Sequence, residues 1–142
     1  MATESYETTI KRLDNKVKVY EDSIASLEDQ NHHLRYFTVY NKEDALSYFE
    51  KRGFKISTVL PLIEEELYKL NNYNGEEHPL IPYVSMTDNK MLINKVSIVN
   101  HRWILTDFTD GKHWGELFLT YEITEEGELK FRLGDYLMFS PN

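Results

Sequence analysis

The segment "NHRWILTDFTDGKHWGELFLTYEI", residues 100–123, decides the fold. β-Branched and aromatic residues flank Asp110-Gly111, a dipeptide that tolerates the positive φ of a mirror-type two-residue turn. An antiparallel hairpin is therefore expected. Counting outward pairs Phe108 with His113, Asp107 with Trp114, Leu105 with Glu116, Ile104 with Leu117, Trp103 with Phe118 and His101 with Thr120.

Downstream, "ELKFRLGDYLMF" (128–139) reads as a further strand. A three-residue loop, Glu125-Glu126-Gly127, aligns Ile123 with Leu129, Tyr121 with Phe131 and Leu119 with Leu133; a two-residue loop would oppose Ile123 to Lys130. The longer loop keeps apolar against apolar. Upstream, "MLINKVSIVNHRWILTDF" (91–108) is β-rich as well, so the sheet has at least three antiparallel strands.

Strand alternation then separates two faces. Ile104, Leu117, Leu119, Tyr121, Ile123, Leu129, Phe131 and Leu133 form the side for helices to cover. The other side carries His101, Trp103, Leu105, Asp107, Trp114, Glu116, Phe118, Arg132, Tyr136 and Met138. Aromatic walls with a few ionisable groups are the composition of a ligand pocket. Glu116, between Trp114 and Phe118, is the candidate general acid or base, with Asp107 or His101 as partner. Tryptophans on a sheet also serve plain packing, and Asp107 stands near a turn where aspartate is common.

Helices precede the sheet. From Ile10 the positions Leu13, Val17, Tyr20, Ile24, Leu27, Asn31 and Leu34 follow in steps of three and four, a strict heptad. β-Branched residues at a and leucines at d favour a parallel two-stranded coiled coil. Asn31 at an a position fixes its register, and Lys16 at g attracts Glu21 at the next e across the pair. A homodimer through residues 10–34 is expected; the same stripe also suits a helix lying on its own domain. His32 and His33 point in adjacent directions and do not share an ion.

Two short helices follow. "NKEDALSYFEKRG" (41–53) has Asn41 as N-cap and Gly53 as terminator; "STVLPLIEEELYKLN" (57–71) has Ser57 or Thr58 as cap and Pro61 near its first turn. The Gly- and Pro-bearing connection 71–89 follows, in which His78 to Met86, with Tyr83, are expected to lie over the mouth of a pocket. The layout is α+β: residues 1–38 a coiled-coil helix, residues 39–142 one α+β domain.

Composition excludes several classes. A net charge of −8 without a basic face opposes nucleic acid and anionic membranes. Absence of cysteine removes disulfides and thiolate chemistry. No metal-ligand spacing, Gly-rich phosphate loop or serine elbow occurs, so no metal and no cofactor is expected. No apolar run reaches the roughly 20 residues of a spanning helix. The start "MATESYETTIKRLD" lacks a secretory signal, which predicts a cytoplasmic protein; an exported one stripped of its leader would read alike.

Helices leading into a curved antiparallel sheet over residues 41–142 resemble the cone of the NTF2-like and cystatin-like superfolds. The stretches "HPLIPYVSM", "NKMLINKV" and "NHRWILTDFTDGKHWGELFLTYEI" resemble a group of short bacterial (Bacteroidota) proteins with a heptad N-terminus, some described as hydrolases. That resemblance implies hydrolysis without bringing catalytic residues. Two functions follow as expectations: a coiled-coil-dimerised ligand-binding or protein-interaction module, using Trp103, Trp114, Phe118, Arg132, Tyr136, His78 and Tyr83; or a small hydrolase using Glu116 with Asp107 or His101.

Overall fold

A computed structural model describes residues 2–139, the side chains of residues 2–4 and 41 excepted. The chain divides into two compact units, Met1–Phe37 and Thr38–Asn142. The first is the helix α1 (Ala2–Tyr36), roughly 50 Å long at the α-helical rise. Its seam residues stay open to solvent: Ile10, Leu13, Val17, Tyr20, Ile24, Leu27 and Leu34 are 51–76% exposed. Among the described residues no helix is long and apolar enough to cross a membrane.

The second unit is α+β. Helices α2 (Glu43–Lys51) and α3 (Ile56–Lys69) precede a curved, unclosed antiparallel sheet of four strands in the order β1-β2-β3-β4. These are β1 (Leu92–Ile98), β2 (Trp103–Thr109), β3 (Trp114–Ile123) and β4 (Leu129–Met138). Gly53, at φ 81°, ends α2 as expected. The expected Asn41 cap lies outside the described side chains; the α2 N-cap position is Lys42, without a side-chain cap bond. α3 starts earlier than expected, at Ile56, whose half-buried side chain packs on the core. Ser57 and Thr58 consequently sit inside its first turn, and Pro61 lies on the exposed side of its second.

The continuous β reading of residues 91–108 is interrupted by a turn. The Asn100 side-chain oxygen accepts hydrogen bonds from the backbone N–H groups of Arg102 and Trp103, both at 2.8 Å, and the chain reverses there. Two strands, β1 and β2, result.

The β2–β3 register is offset by two residues from the expected one. Trp103 opposes Thr120, Leu105 opposes Phe118, Asp107 opposes Glu116 and Thr109 opposes Trp114. The cause is Asp110. Its carboxylate accepts from the N–H of His113 (2.7 Å) and of Lys112 (3.0 Å), which moves the bend to Gly111-Lys112, with Gly111 at φ 96°. A shift of two preserves side-chain parity, so the division of β2 and β3 into faces stands. The β3–β4 loop follows expectation: Ile123 opposes Leu129, Tyr121 opposes Phe131 and Leu119 opposes Leu133, with Gly127 at φ 87°.

Beyond Leu133 the alternation inverts. Phe118 opposes Asp135 while Leu119 opposes Leu133, so Gly134 is an extra residue, a β-bulge. A Cβ at Gly134 would lie 2.9 Å from the Phe118 ring, which is why glycine occupies the bulge. Asp135 and Leu137 thereby join the mixed face, while Tyr136 and Met138 turn to the helical side, contrary to expectation.

The core lies between the helices and that side of the sheet. Phe49, Ile63 and Leu67 meet Ile104, Phe108, Leu117 and Leu119, all fully buried. Burying each such side chain stabilises the fold by roughly 1.5–3 kcal/mol relative to exposure, an upper bound. α2 also satisfies the end of β3: Tyr48 Oη accepts from the Ile123 N–H (3.1 Å) and Arg52 Nε donates to the Ile123 carbonyl (3.0 Å). The Arg52 guanidinium stands 3.6 Å above the Tyr48 ring, joining both contacts into one clamp.

Gly115 opposes Phe108 and makes room for its ring: a Cβ there would lie 2.3 Å from both the Phe108 ring and the Leu137 carbonyl oxygen. Gly115→Ala should therefore cost about 2–3 kcal/mol in urea unfolding, since backbone has to move. An unchanged midpoint would contradict this packing.

Candidate functional site

The mixed face of the sheet is built in cross-strand rows. Trp103, Thr120 and Arg132 form one, Leu105, Phe118 and Asp135 the next, and Asp107, Glu116 and Leu137 a third, with Trp114 opposite Thr109 beyond. The helices cover the opposite side. Trp103, Leu105, Trp114 and Leu137 are accordingly 43–47% exposed, while the Phe118 ring is half-buried against Trp103 at 5.5 Å. Contiguous exposed apolar surface rimmed by polar groups is a mark of recognition sites.

Two depressions lie on this face. One, of about 140 Å³, is lined by Leu105, Glu116, Phe118, Asp135 and Leu137. The other, of about 250 Å³, is lined by Arg102, Trp103, Thr120, Glu122, Lys130 and Arg132. Acids gather at one end and cations at the other.

Of the expected catalytic group, the fold brings two members together. Asp107 and Glu116 are directly opposed, their side chains on the same face. Asp107 already has structural partners: Oδ1 accepts from the Lys95 N–H (2.7 Å) and Oδ2 from the Asn94 amide (3.3 Å). These bonds hold the irregularity in β1 between Ile93 and Val96. Glu116 is exposed.

His101 is not with them. The Asn100 turn takes it out of the strand, and its ring packs against Tyr48 at 5.1 Å. Its Nδ1 is buried without a hydrogen-bond partner among the described residues. Burial, helped by the Arg102 charge, lowers its pKa, which favours the neutral ring.

Tyr83 packs on the helical side of the sheet, and the connecting loop, His78 and Tyr83 included, lines a cavity of about 640 Å³ with Phe131, Arg132 and Leu133 of β4, Arg132 being its link to the mixed face. Tyr83 stacks on the core residue Phe108 at 5.7 Å and meets Tyr136 edge-on at 5.7 Å. His78 is buried as a pin: Nδ1 accepts from the N–H of Leu80 (3.0 Å) and of Ile81 (3.4 Å), leaving Nε2–H to donate to Asn71 Oδ1 (3.1 Å). Asn71 in turn accepts from the Ile93 N–H (2.8 Å) and donates to its carbonyl (3.0 Å), tying the loop to the edge strand β1. The sequence cue at this position is Pro79, which favours an extended residue before it and does not reveal a hydrogen-bonding hub.

Sequence reasoning placed Asp110 in a turn but missed the reach of its carboxylate. Besides its turn, it accepts from the Met86 N–H and the Ser85 hydroxyl, both at 3.3 Å, and faces His113 Nδ1 at 3.1 Å. Burial alone would raise its pKa; the donors from His113, Lys112 and Met86 outweigh that and hold it well below the usual carboxylate range. Ser85, Asp110 and His113 do not make a nucleophilic triad. Ser85 Oγ has Asn89 O, Thr87 O and Asp110 Oδ2 as competing acceptors for its single proton, and the imidazole bonds to the aspartate rather than to the serine. Among the described residues no group of three or more His, Cys, Asp or Glu could hold a metal ion.

No protein family matches the chain, and neither a curated protein nor a solved structure does.

The His78 pin has a pH signature. Burial lowers its pKa from 6.5 to about 4. Protons therefore bind the unfolded chain more tightly, and stability should fall as pH drops below about 6.5, levelling off near 4. The slope approaches ~1.4 kcal/mol per pH unit at most. His78→Gln should be less stable at pH 7 yet lose less between pH 6.5 and 4; parallel unfolding curves for both proteins would contradict the pin.

Proposed function

We propose that the chain is a homodimeric recognition module: residues 10–34 pair two copies in a parallel coiled coil, and the open face of each sheet receives a ligand. The observation that carries the reading is the one-sided sheet. Its helical side is filled, whereas Trp103, Leu105, Trp114 and Leu137 stand 43–47% exposed beside charged groups. A preformed apolar surface with a few placed polar groups is what ligand uptake requires. The exposed seam of α1, β-branched at a and carrying Asn31, supports the pairing.

A second reading is favoured by one observation, the direct opposition of Asp107 and Glu116. Paired carboxylates suit general acid/base hydrolysis, with Glu116 as the mobile member because Asp107 is held by Lys95 and Asn94.

Sedimentation should give twice the 16.9 kDa chain mass. Leu13→Glu with Leu27→Glu should return a monomer whose sheet signals are unchanged; a monomeric wild type at about 100 μM would end the coiled-coil reading, since paired heptads of this length reach such affinities.

For the open face, titration with benzyl alcohol should shift the indole N–H resonances of Trp103 and Trp114, and Leu105→Ser with Leu137→Ser should abolish the effect. Shifts confined to other residues would count against it. Across ester, glycoside and phosphoester substrates, any turnover equal in wild type and Glu116→Gln would remove the hydrolase reading.

A further inference from the structure

We propose that the groove at the Trp103 end of the open face binds a phosphate monoester carrying a flat aromatic ring. This rests on the reading of that face as a recognition surface and names what it recognises. On a chain of net charge −8, three cations, Arg102, Lys130 and Arg132, line one groove, together with a single carboxylate, Glu122. Lys130 stands directly opposite Glu122 in the β3–β4 ladder, so these two offset each other. Two guanidiniums remain. Among the described residues neither enters an ion pair, unlike Lys69, which is matched to Glu65 and Glu66.

Concentrating like charge without acidic partners is unfavourable, and an anion bound between the groups relieves it. A guanidinium presents paired N–H donors in a plane, a geometry that fits two oxygens of a phosphate, and two of them match a dianion in charge. Thr120, in the same row as Trp103 and Arg132, adds a hydroxyl.

The ring requirement comes from Trp103. Its indole is 47% exposed and is braced from behind by Phe118 at 5.5 Å, so it offers a fixed platform for stacking. A groove of about 250 Å³ lies below the roughly 300–1,000 Å³ of larger ligand sites and suits one phosphate with one ring. Polymeric nucleic acid is disfavoured by the chain's net negative charge.

The test uses the full chain titrated with phenyl phosphate, inorganic phosphate, benzoate and benzyl alcohol, followed by the backbone amide resonances of Thr120 and Arg132 and, where Trp103 is present, by its indole N–H. Phenyl phosphate should saturate and bind tightest. Arg102→Gln with Arg132→Gln should weaken it about tenfold or more, and Trp103→Leu should weaken phenyl phosphate more than inorganic phosphate. Both arginines are exposed, so the variants should keep the wild-type circular dichroism; Lys130→Gln is a second probe, with a smaller effect because Glu122 already offsets it. Unchanged affinity in the double arginine variant overturns the proposal, as does benzoate binding equal to phenyl phosphate. If benzyl alcohol moves the indole resonances and phenyl phosphate binds no better, the phosphate assignment fails while the open-face reading stands; if no probe moves any resonance of that face, both fail.

Discussion

The buried carboxylate of Asp110 is the constraint on which the sheet's two-sidedness depends. It collects backbone donors from its own turn and from Met86, and so fixes where β2 stops, where β3 starts and where the preceding loop is anchored. Each of those part-buried bonds to the charged carboxylate contributes roughly 1.5–3 kcal/mol. Because the bend is pinned, the ladder has one register. From that register it follows that Trp103, Leu105, Trp114, Glu116 and Phe118 share a face while Ile104, Phe108, Leu117 and Leu119 share the other.

How much of this was legible depended on whether a feature obeys a period. The β2 and β3 faces survived a misplaced turn because an error of two residues leaves strand parity unchanged, whereas an error of one would have inverted everything. The β3–β4 loop was legible because only one loop length keeps Tyr121 and Ile123 against apolar partners. Three features were not. The Asn100 turn contains neither Gly nor Pro and works through a side-chain oxygen. The bulge at Gly134 exists to clear the Phe118 ring, a contact between strands that one strand's sequence does not display. The hydrogen bonds of His78 and Asp107 run through side chains to other segments, His78 to Asn71 and Asp107 to Asn94 and Lys95, and no sequence period signals them. That Trp103, Trp114, Phe118, Glu116 and Arg132 share one sheet face was legible; that Tyr136 turns to the other side, that His101 packs on Tyr48 and that His78 and Tyr83 line a loop cavity reaching Arg132 was not.

The molecule divides its ionisable groups by use. Asp107, Asp110 and His78 are spent on backbone, each satisfying N–H groups that strands or loops leave open. Arg52 does the same for the end of β3. What is left without such duties on the open face is Glu116 toward one end and Arg102, Lys130 and Arg132, with Glu122, toward the other, while Asp135 accepts from the Tyr136 N–H. A surface whose structural polar groups are already satisfied has its remaining charges free to meet something outside the chain.

The Gly134 bulge has a consequence beyond re-aiming side chains. β4 is an edge strand with Leu129, Phe131, Leu133 and Leu137 along it, a sequence that invites another chain to add on and so start a fibril. One supernumerary residue breaks the even spacing of its outward amide and carbonyl groups, and Lys130, Arg132 and Asp135 set charges between the leucines. An incoming strand would find neither a continuous ladder nor an uninterrupted greasy flank. The kink that seats an aromatic ring therefore also keeps copies of this domain from stacking edge to edge.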